Sequence, residues 1–540
     1  MSRLLSMVRE GATALRSIDV MRRAGLVPLT RPDHVLRSAI SVRRLGPLAG
    51  PVRAAAAKDS TALGFVDEIG PLTFHQLDRR SNALARALAE RGIGPGSVIA
   101  LLARDHRGQV DTMLAAGKLG AKLLLMNTGF ARPQLVDVAK REGTSVFVYD
   151  QEFTELVDAL PAELPRFLAW VDGEPPAGVT TVEELVASTD DRPVPTPKEP
   201  GSMVLLTSGT TGTPKGAPRQ VRNPLAAAQF LDRVPLRSGE VTAVAAPMFH
   251  ATGLSQMVLS FALGTAVATR RRFDPEATLK LVEQYRATAL VLVPTMLQRI
   301  LDLGPEVLGR YDTSSLRIVF CAGSALSPEL GNRATATFGD VIHNLYGSTE
   351  VAVATVATPA DWRAAPGTVG KVPVGCRVVL YDEHDRPITT PHTIGRVFVG
   401  SGLAFEGYTD GRTKDILDGL LSSGDVGHWD EAGRLFIDGR DDDMIISGGE
   451  NVFPAEIENL LVEHDGVVEA AVIGVPDERF GQRLKAFVVA EPGRELDAGE
   501  LKDFVRSNLA RYKVPREVVF LDELPRNATG KLLRTRLGEH

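Results

Sequence analysis

The sequence predicts an α/β protein in two parts: a large N-terminal domain with parallel-rich sheets covered by helices, and a small α+β domain at the C-terminus. Three observations carry that expectation. Apolar runs of strand length alternate with amphipathic helical stretches through most of the chain. Near Arg440 the pattern gives way to a compact group of strand-like runs around two helical ones. The 540 residues, 44% of them hydrophobic, are enough for more than one core.

Residues 1–58 stand apart from the rest. They hold eleven Lys/Arg against three Asp/Glu, whereas the whole chain carries a net charge of -6. Leu4, Val8, Leu15, Ile18 and Met21 recur at helical spacing, with Arg3, Arg9, Arg16 and Arg22 among them. Two readings stay open for residues 1–25: an amphipathic helix lying on an anionic membrane surface, or a helix packed on the protein's own body. The continuous apolar core and cleavage pattern of a secretory signal are lacking, and a transit peptide stays open.

The large domain is expected over residues 59–439. Leu77 to Leu88 is periodic as a helix, GIGPG stops it, and VIALLA follows as a buried strand. The pattern repeats with a helix over Met113 to Leu119, the run AKLLLM, then LVDVAKREG and SVFVYD. Such alternation implies a mostly parallel sheet covered on both faces. A Pro- and Thr-rich link, DDRPVPTPKEPG, leads into the strand MVLLTS, and ATALVLVPT and LRIVFCAGS continue the series. The uncharged stretch Val241 to Thr269 has the length of a membrane span, but Pro247, His250, Gly253 and Gly264 divide it into strand, loop, helix and strand. Residues 440–443 read as a hinge and 444–540 as the small domain.

Bulk properties narrow the function classes. Mild acidity leaves no footprint for general nucleic-acid binding. The two cysteines, Cys321 and Cys376, have no Cys/His neighbours at metal-ligand spacing, so a reducing compartment, the cytoplasm, is expected.

The strongest local signal is TSGTTGTPKG, residues 207–216, directly after a strand. Its three glycines let the backbone bend around an anion with amide groups pointing at phosphate oxygens. Five hydroxyls and Lys215 add donors and charge. The loop departs from the Walker pattern, which ends G-K-[ST]. It resembles the nucleotide-binding loop of the adenylate-forming superfamily: acyl- and aryl-CoA synthetases, peptide-synthetase adenylation domains and beetle luciferases. The resemblance runs from about Leu72 to Leu533 and rests on several motifs in the family's order.

That resemblance assigns expected roles. Thr207, Ser208, Gly209, Thr210, Thr211, Gly212 and Lys215 would bind ATP phosphates. In PMFHATG, His250 would lie beside the acyl carboxylate. In CAGSAL, Gly323, Ser324 and Ala325 would wall the adenine. In YGSTE, Tyr346 would pack on adenine with Gly347 beside it in the nucleotide-binding set, Thr349 would contact the α-phosphate, and Glu350 would hold Mg²⁺, since a carboxylate beside a triphosphate needs a cation between them. Asp425 would take the ribose hydroxyls, Arg440 ribose and phosphate, and Asn451 belongs to the same nucleotide-binding set. Asp442 matches the hinge of a mobile small domain, Ser447, Gly448 and Gly449 would border the pantetheine arm of coenzyme A, and Lys531 would bridge carboxylate and α-phosphate. One departure from the family is LLMNTGF, where Thr128 stands at a position often held by proline.

The expected reaction is therefore activation of a carboxylic acid by ATP and transfer of the acyl group to coenzyme A. Ala245 to Gln256 contains no acidic residue, whereas amino-acid-activating relatives generally carry an aspartate here for the substrate ammonium. An acyl pocket is expected near His250, Val293 to Thr295, Gly323 and the run VAVATVAT, all apolar or small. A medium- or long-chain fatty acid is the first expectation and an aromatic acid the second. A fatty acyl-AMP ligase delivering to a carrier protein, an amino-acid adenylating protein and a non-catalytic nucleotide or acyl-CoA sensor are the rivals. Intact SGGEN speaks against the first of these, and retention of Lys531, Glu350 and Asp425 against the last.

Overall fold

The computed structural model describes residues 2–27, 32–207, 214–219, 224–441, 444–447, 450–477, 481–527 and 530–538. Two sheets dominate the large part. An eight-stranded sheet has six parallel inner strands, in the order Ile342–Tyr346, Ile318–Cys321, Ala289–Leu292, Val241–Val244, Ala266–Thr269 and Leu63–Asp67, with an antiparallel strand at each edge. A six-stranded sheet runs Arg166–Trp170, Val146–Asp150, Val98–Leu102, Lys122–Leu125 and Met203–Thr207 in parallel, closed by antiparallel Lys215–Arg219. The near-continuous apolar runs read in the sequence are these inner strands, buried on both faces.

The largest core cluster joins both sheets, through Ile99, Leu101, Leu123 and Leu205 of one and Phe65, Val267, Val291 and Phe320 of the other. Helix Phe74–Ala89 shows why local sequence and packing agree. Thr73 and Gln76 form a reciprocal cap at its start, and Leu77, Leu84 and Leu88 bury one face. Lys118 is buried nearby, with its ammonium bonded to the Asp78 carbonyl and carboxylate and to Ser81 and Asn82. These bonds offset the cost of taking the charge out of water.

A third, antiparallel sheet includes Cys376–Tyr381, Gly395–Ser401, Leu420–Trp429 and Leu435–Arg440. The C-terminal part forms its own sheet, with Val467–Asp477 and Gly481–Ala490 as its long hairpin, helices Pro454–Val462 and Ala498–Asn508, and a separate core around Val472, Val488 and Leu501. This is the α/β plus small α+β architecture that the sequence predicts.

The basic N-terminal segment forms two helices, Ser2–Ala24 and Pro32–Lys58. The first buries Ser17, Val20, Met21 and Ala24, and Arg16 lies 3.5 Å from Asp232. The second buries Leu45, Leu48, Ala49, Val52 and Ala56 in the main core. Self-packing therefore describes these faces, while Leu15 (71% exposed) and Ile18 (43%) face outward. No helix among the described residues is long and apolar enough to cross a membrane, in line with the division of Val241–Thr269 into strand Val241–Val244, helix Ala251–Ala262 and strand Ala266–Thr269.

Candidate functional site

Ligands of open parallel sheets bind outside the carboxyl ends of the strands. Here four neighbouring strands of the eight-stranded sheet end at the predicted motifs. Val244 leads to His250, Leu292 to Thr295, Cys321 to Gly323, and Tyr346 to Glu350. All four segments line one cavity of about 2140 Å³, together with Lys215, Asp425, Arg440 and Lys531.

Backbone geometry explains several of the small residues. Gly323 has φ 93°, and a Cβ there would lie 3.4 Å from Val293 Cγ1, so the strand-end turn is left-handed and close to the cavity wall. A Cβ on Gly347 would collide with the Ala352 carbonyl. The segment folds back tightly on itself there, with Ala352 N–H donating to the Ser348 carbonyl (2.9 Å) and Ala354 N–H to that of Tyr346 (3.0 Å).

Tyr346 donates its hydroxyl to Asp425 Oδ2 at 2.6 Å, and Arg440 Nε lies 3.5 Å from Asp425 Oδ1. Asp425 and Arg440 are paired across adjacent antiparallel strands, which sets this spacing. Burial raises the Asp425 pKa above the usual carboxylate range, opposed by Tyr346, Arg440, Ser423 and Lys531. Burial and the Asp425 charge push the Tyr346 phenol well above its ordinary value.

Glu350 accepts from Tyr408 Oη at Oε1 (2.7 Å) and from Ser348 Oγ at Oε2 (2.8 Å). Lys215 Nζ stands 5.0 Å from the centre of the Tyr408 ring. Burial, then the Glu350 bond and charge, raise the Tyr408 phenol pKa. Among the described residues no cluster of three His, Cys, Asp or Glu side chains could hold a metal. One carboxylate suits Mg²⁺ that takes its remaining ligands from substrate phosphates and water, and Glu350 retains lone pairs for it.

His250 precedes helix Ala251–Ala262 as its cap residue and is partly buried, with Nε2 shielded from solvent. Burial lowers its pKa to about 4, so the imidazole is neutral near pH 7, and Nε2 has no hydrogen-bond partner among the described residues. Asp105 touches this segment but does not line the cavity; its Oδ1 accepts from Met248 N–H (2.9 Å), and burial raises its pKa to about 8.

Lys531 sits in a tight loop: Asn527 N–H donates to the Lys531 carbonyl, and Lys531 N–H to Asn527 Oδ1, both at 2.9 Å. Arg526 Nη1 donates to the Gly530 carbonyl at 2.7 Å and Nη2 to Glu469 at 2.8 Å. Gly530, at φ 77°, lies against Thr295 of the large part so closely that any Cβ would overlap the threonine side chain. That contact sets the Lys531 loop against the cavity that His250 and Thr349 also line.

Thr349 and Ser324 and Ala325 also line the cavity. Thr207 closes strand Met203–Thr207, while Ser447 and Asn451 lie in paired strands Ile445–Ser447 and Glu450–Val452 of the small sheet. Ser208, Gly209, Thr210, Thr211, Gly212, Asp442, Gly448 and Gly449 lie outside the described residues. One expectation is corrected: in VAVATVAT only Ala352 lines the cavity, whereas Val351, Val353 and Ala354 are fully buried core residues. The tight fold-back at Gly347 turns the run inward. Val293, Pro294 and Thr295 line the cavity as expected, whereas Tyr408 was missed by sequence reasoning; its signal was a lone aromatic in the turn-forming stretch EGYTDG.

Glu350, Asp425, Lys215, Arg440 and Lys531 around one cavity, at the strand ends of a two-part α/β fold, make the site of an AMP-forming acid–thiol ligase of the adenylate-forming superfamily. The chain belongs to the AMP-binding enzyme family: the family model matches residues 51–409, and the model of the AMP-binding enzyme C-terminal domain matches 456–531. It is similar to an indoleacetate–CoA ligase of Aromatoleum aromaticum, 35% identical over 87% of this chain and 93% of the relative. A fatty acid–[acyl-carrier-protein] ligase of Streptomyces coeruleorubidus is 32% identical over 86% and 91%. The o-succinylbenzoate CoA synthetase of Bacillus subtilis, solved with its acyl-adenylate intermediate, superposes with a TM-score of 0.79 at 26% identity, covering 90% of this chain and 97% of that one.

Proposed function

We propose that the protein joins an apolar monocarboxylic acid to coenzyme A through an acyl-adenylate. The observation that carries this reading is the convergence of Lys531, Glu350, Lys215 and the Tyr346–Asp425–Arg440 group on one cavity with neutral His250.

In the first step a carboxylate oxygen bonds to the α-phosphorus of ATP while the bond from that phosphorus to the bridging oxygen breaks and pyrophosphate leaves. Two anions must meet, so the requirement is charge stabilisation where charge develops. Lys531 and Lys215 supply fixed positive charge, Asp425 and Arg440 hold the ribose, Tyr346 packs on the adenine, and Gly323 lets that ring approach the strand end. Glu350 would hold Mg²⁺, which when bound neutralises phosphate charge. Neutral His250 lets a carboxylate approach without forming an ion pair that would trap it.

In the second step the thiol sulfur bonds to the acyl carbon, the bond from that carbon to the AMP oxygen breaks, and the thiol proton leaves. The Lys531 loop fills the approach to the acyl carbon, so rotation of the small domain at residues 440–443, about Asp442, would clear it and bring Ser447, Gly448 and Gly449 to the arm of coenzyme A.

An acid with an aromatic or fused-ring body is the favoured substrate class, because two of the three relatives described act on such acids. A fatty acid is the second reading, favoured by the length of the apolar lobe described below. An amino acid is disfavoured, since Asp105 is bonded to Met248 and outside the cavity. Peripheral membrane contact through residues 1–25 belongs to the same proposal, supported by exposed Leu15 and Ile18 beside Arg16, Arg22 and Arg23. A panel of aryl, fused-ring, fatty and amino acids, assayed for AMP release with and without coenzyme A, tests the function. Release that depends on an apolar acid and on coenzyme A is expected; release unaffected by coenzyme A would instead indicate a carrier-protein acceptor.

A further inference from the structure

The cavity extends well beyond the reacting groups. Along helix Ala251–Ala262 it is lined by Ala251, Leu254, Ser255, Val258 and Ala262, one face of the helix over its whole length. At 1.5 Å per residue that face is about 16 Å long. The second helix of the chain, which packs against helix Ala251–Ala262, lines the same cavity through Val35, Ala39, Val42 and Gly46, again a single helical face. Gly46 breaks this helix with φ 77° and faces Pro200 and Gly201, and the bend brings Gly50 so near that a Cβ would lie 2.5 Å from Val42 Cα. Met21, Val27 and Met203 add apolar lining beside these helices, and the charged lining residues next to them, Arg43 and Glu199, are solvent-exposed. The family match begins at residue 51, so this wall comes from a part of the chain that the match does not cover.

We infer that residues 35–47 form the outer wall of the acid-binding lobe, that the apolar tail of the substrate lies between this wall and helix Ala251–Ala262, and that the wall sets how long a tail is accepted. The inference rests on the reading that an acid is adenylated between His250 and Lys531. Its ligand chemistry is an elongated apolar body, either an alkyl chain or a fused-ring system. Small side chains on both walls, Ala39 and Ser255 among them, leave width for it, and each methylene buried in such a lobe should tighten binding about fourfold.

The test is calorimetric binding of acyl sulfamoyl-adenylates to the full chain, with an n-alkyl series of increasing length as one arm and a fused-ring acyl analogue as the other. Val42→Trp narrows the lobe from within, and Ala39→Trp does so from a solvent-exposed position that folding tolerates. In the unaltered protein affinity should climb with alkyl length or with the fused-ring body. Both variants should bind the shortest analogue normally and lose about tenfold or more for the long or fused-ring ones; the arm that suffers identifies the tail. Equal long-to-short ratios in all three proteins would overturn the wall. Failure of the unaltered protein to bind even the shortest analogue would overturn the adenylation reading, and the inference with it.

Discussion

Tyr408 gives its hydroxyl to Glu350 at 2.7 Å while Lys215 stands 5.0 Å from the centre of the same ring. One aromatic side chain therefore spaces the cation that follows the phosphate loop from the carboxylate proposed to hold the metal. Phe405 N–H also donates to the Glu350 carbonyl at 2.8 Å, and Thr409 N–H to that of Gly216 at 2.8 Å, so the loop 405–409 ties both sides together.

Tyr408→Phe should keep the ring beneath Lys215 and remove only the bond to Glu350. A hydrogen bond to a charged group contributes about 1.5–3 kcal/mol, so kcat/KM for ATP should fall roughly tenfold to a hundredfold. Tyr408→Ala should lose more, because the cation–π contact goes as well. Steady-state kinetics at saturating acid measure both; equal losses in the two variants would show that the ring contributes nothing.

Gly530→Ala should slow adenylation. The added methyl meets Thr295 and the residue must hold φ 77°, so the loop is displaced from the large domain and Lys531 with it. Thr295→Gly in the same chain should restore part of the rate by removing the clash, while the backbone strain of about 1 kcal/mol remains. Pyrophosphate exchange on the single and double variants reads this coupling.

The buried histidines set an acid limit. Burial lowers the pKa of His250 to about 4, and burial, opposed by the bond to the Val341 carbonyl and aided by nearby Arg233 and Arg317, lowers that of His343 to about 4. The unfolded chain protonates both near 6.5. Between pH 6.5 and 4 the unfolded state therefore binds more protons, so stability is intact above 6.5 and declines as pH falls through that window. The slope approaches about 1.4 kcal/mol per pH unit for each histidine. His428, whose pKa is raised by its bond to Asp438, acts in the opposite sense. Denaturant titrations from pH 7 to 4 should show the decline, and His343→Asn should flatten it. For the same reason adenylation should show no histidine limb near pH 6.5 from His250.

Much of this architecture was legible in the sequence because strand length and helical period are local properties. VIALLA, LRIVFCAGS and the helical period from Leu77 to Leu88 each announce their element without reference to the rest of the chain. Tyr346, Asp425, Arg440 and Lys531 were legible as motif residues, and the fold brings them to one cavity. What escaped depends on contacts distant in sequence. Tyr408 reaches Glu350 across 58 positions, and Gly530 meets Thr295 only when the two parts of the chain are packed together. The run VAVATVAT misled because an apolar string reads alike whether it faces a ligand or a core; the fold-back at Gly347 decides for the core.

The central claim is that Lys531, carried on the small domain, offsets the repulsion between carboxylate and α-phosphate in the first step alone. Lys531→Ala, assayed for acid-dependent pyrophosphate exchange and separately for conversion of preformed acyl-adenylate to thioester, tests it most directly. Exchange should fall by about two to three orders of magnitude, the scale of losing one preorganised charge partner, while thioester formation continues. Exchange at the unaltered rate would contradict the account.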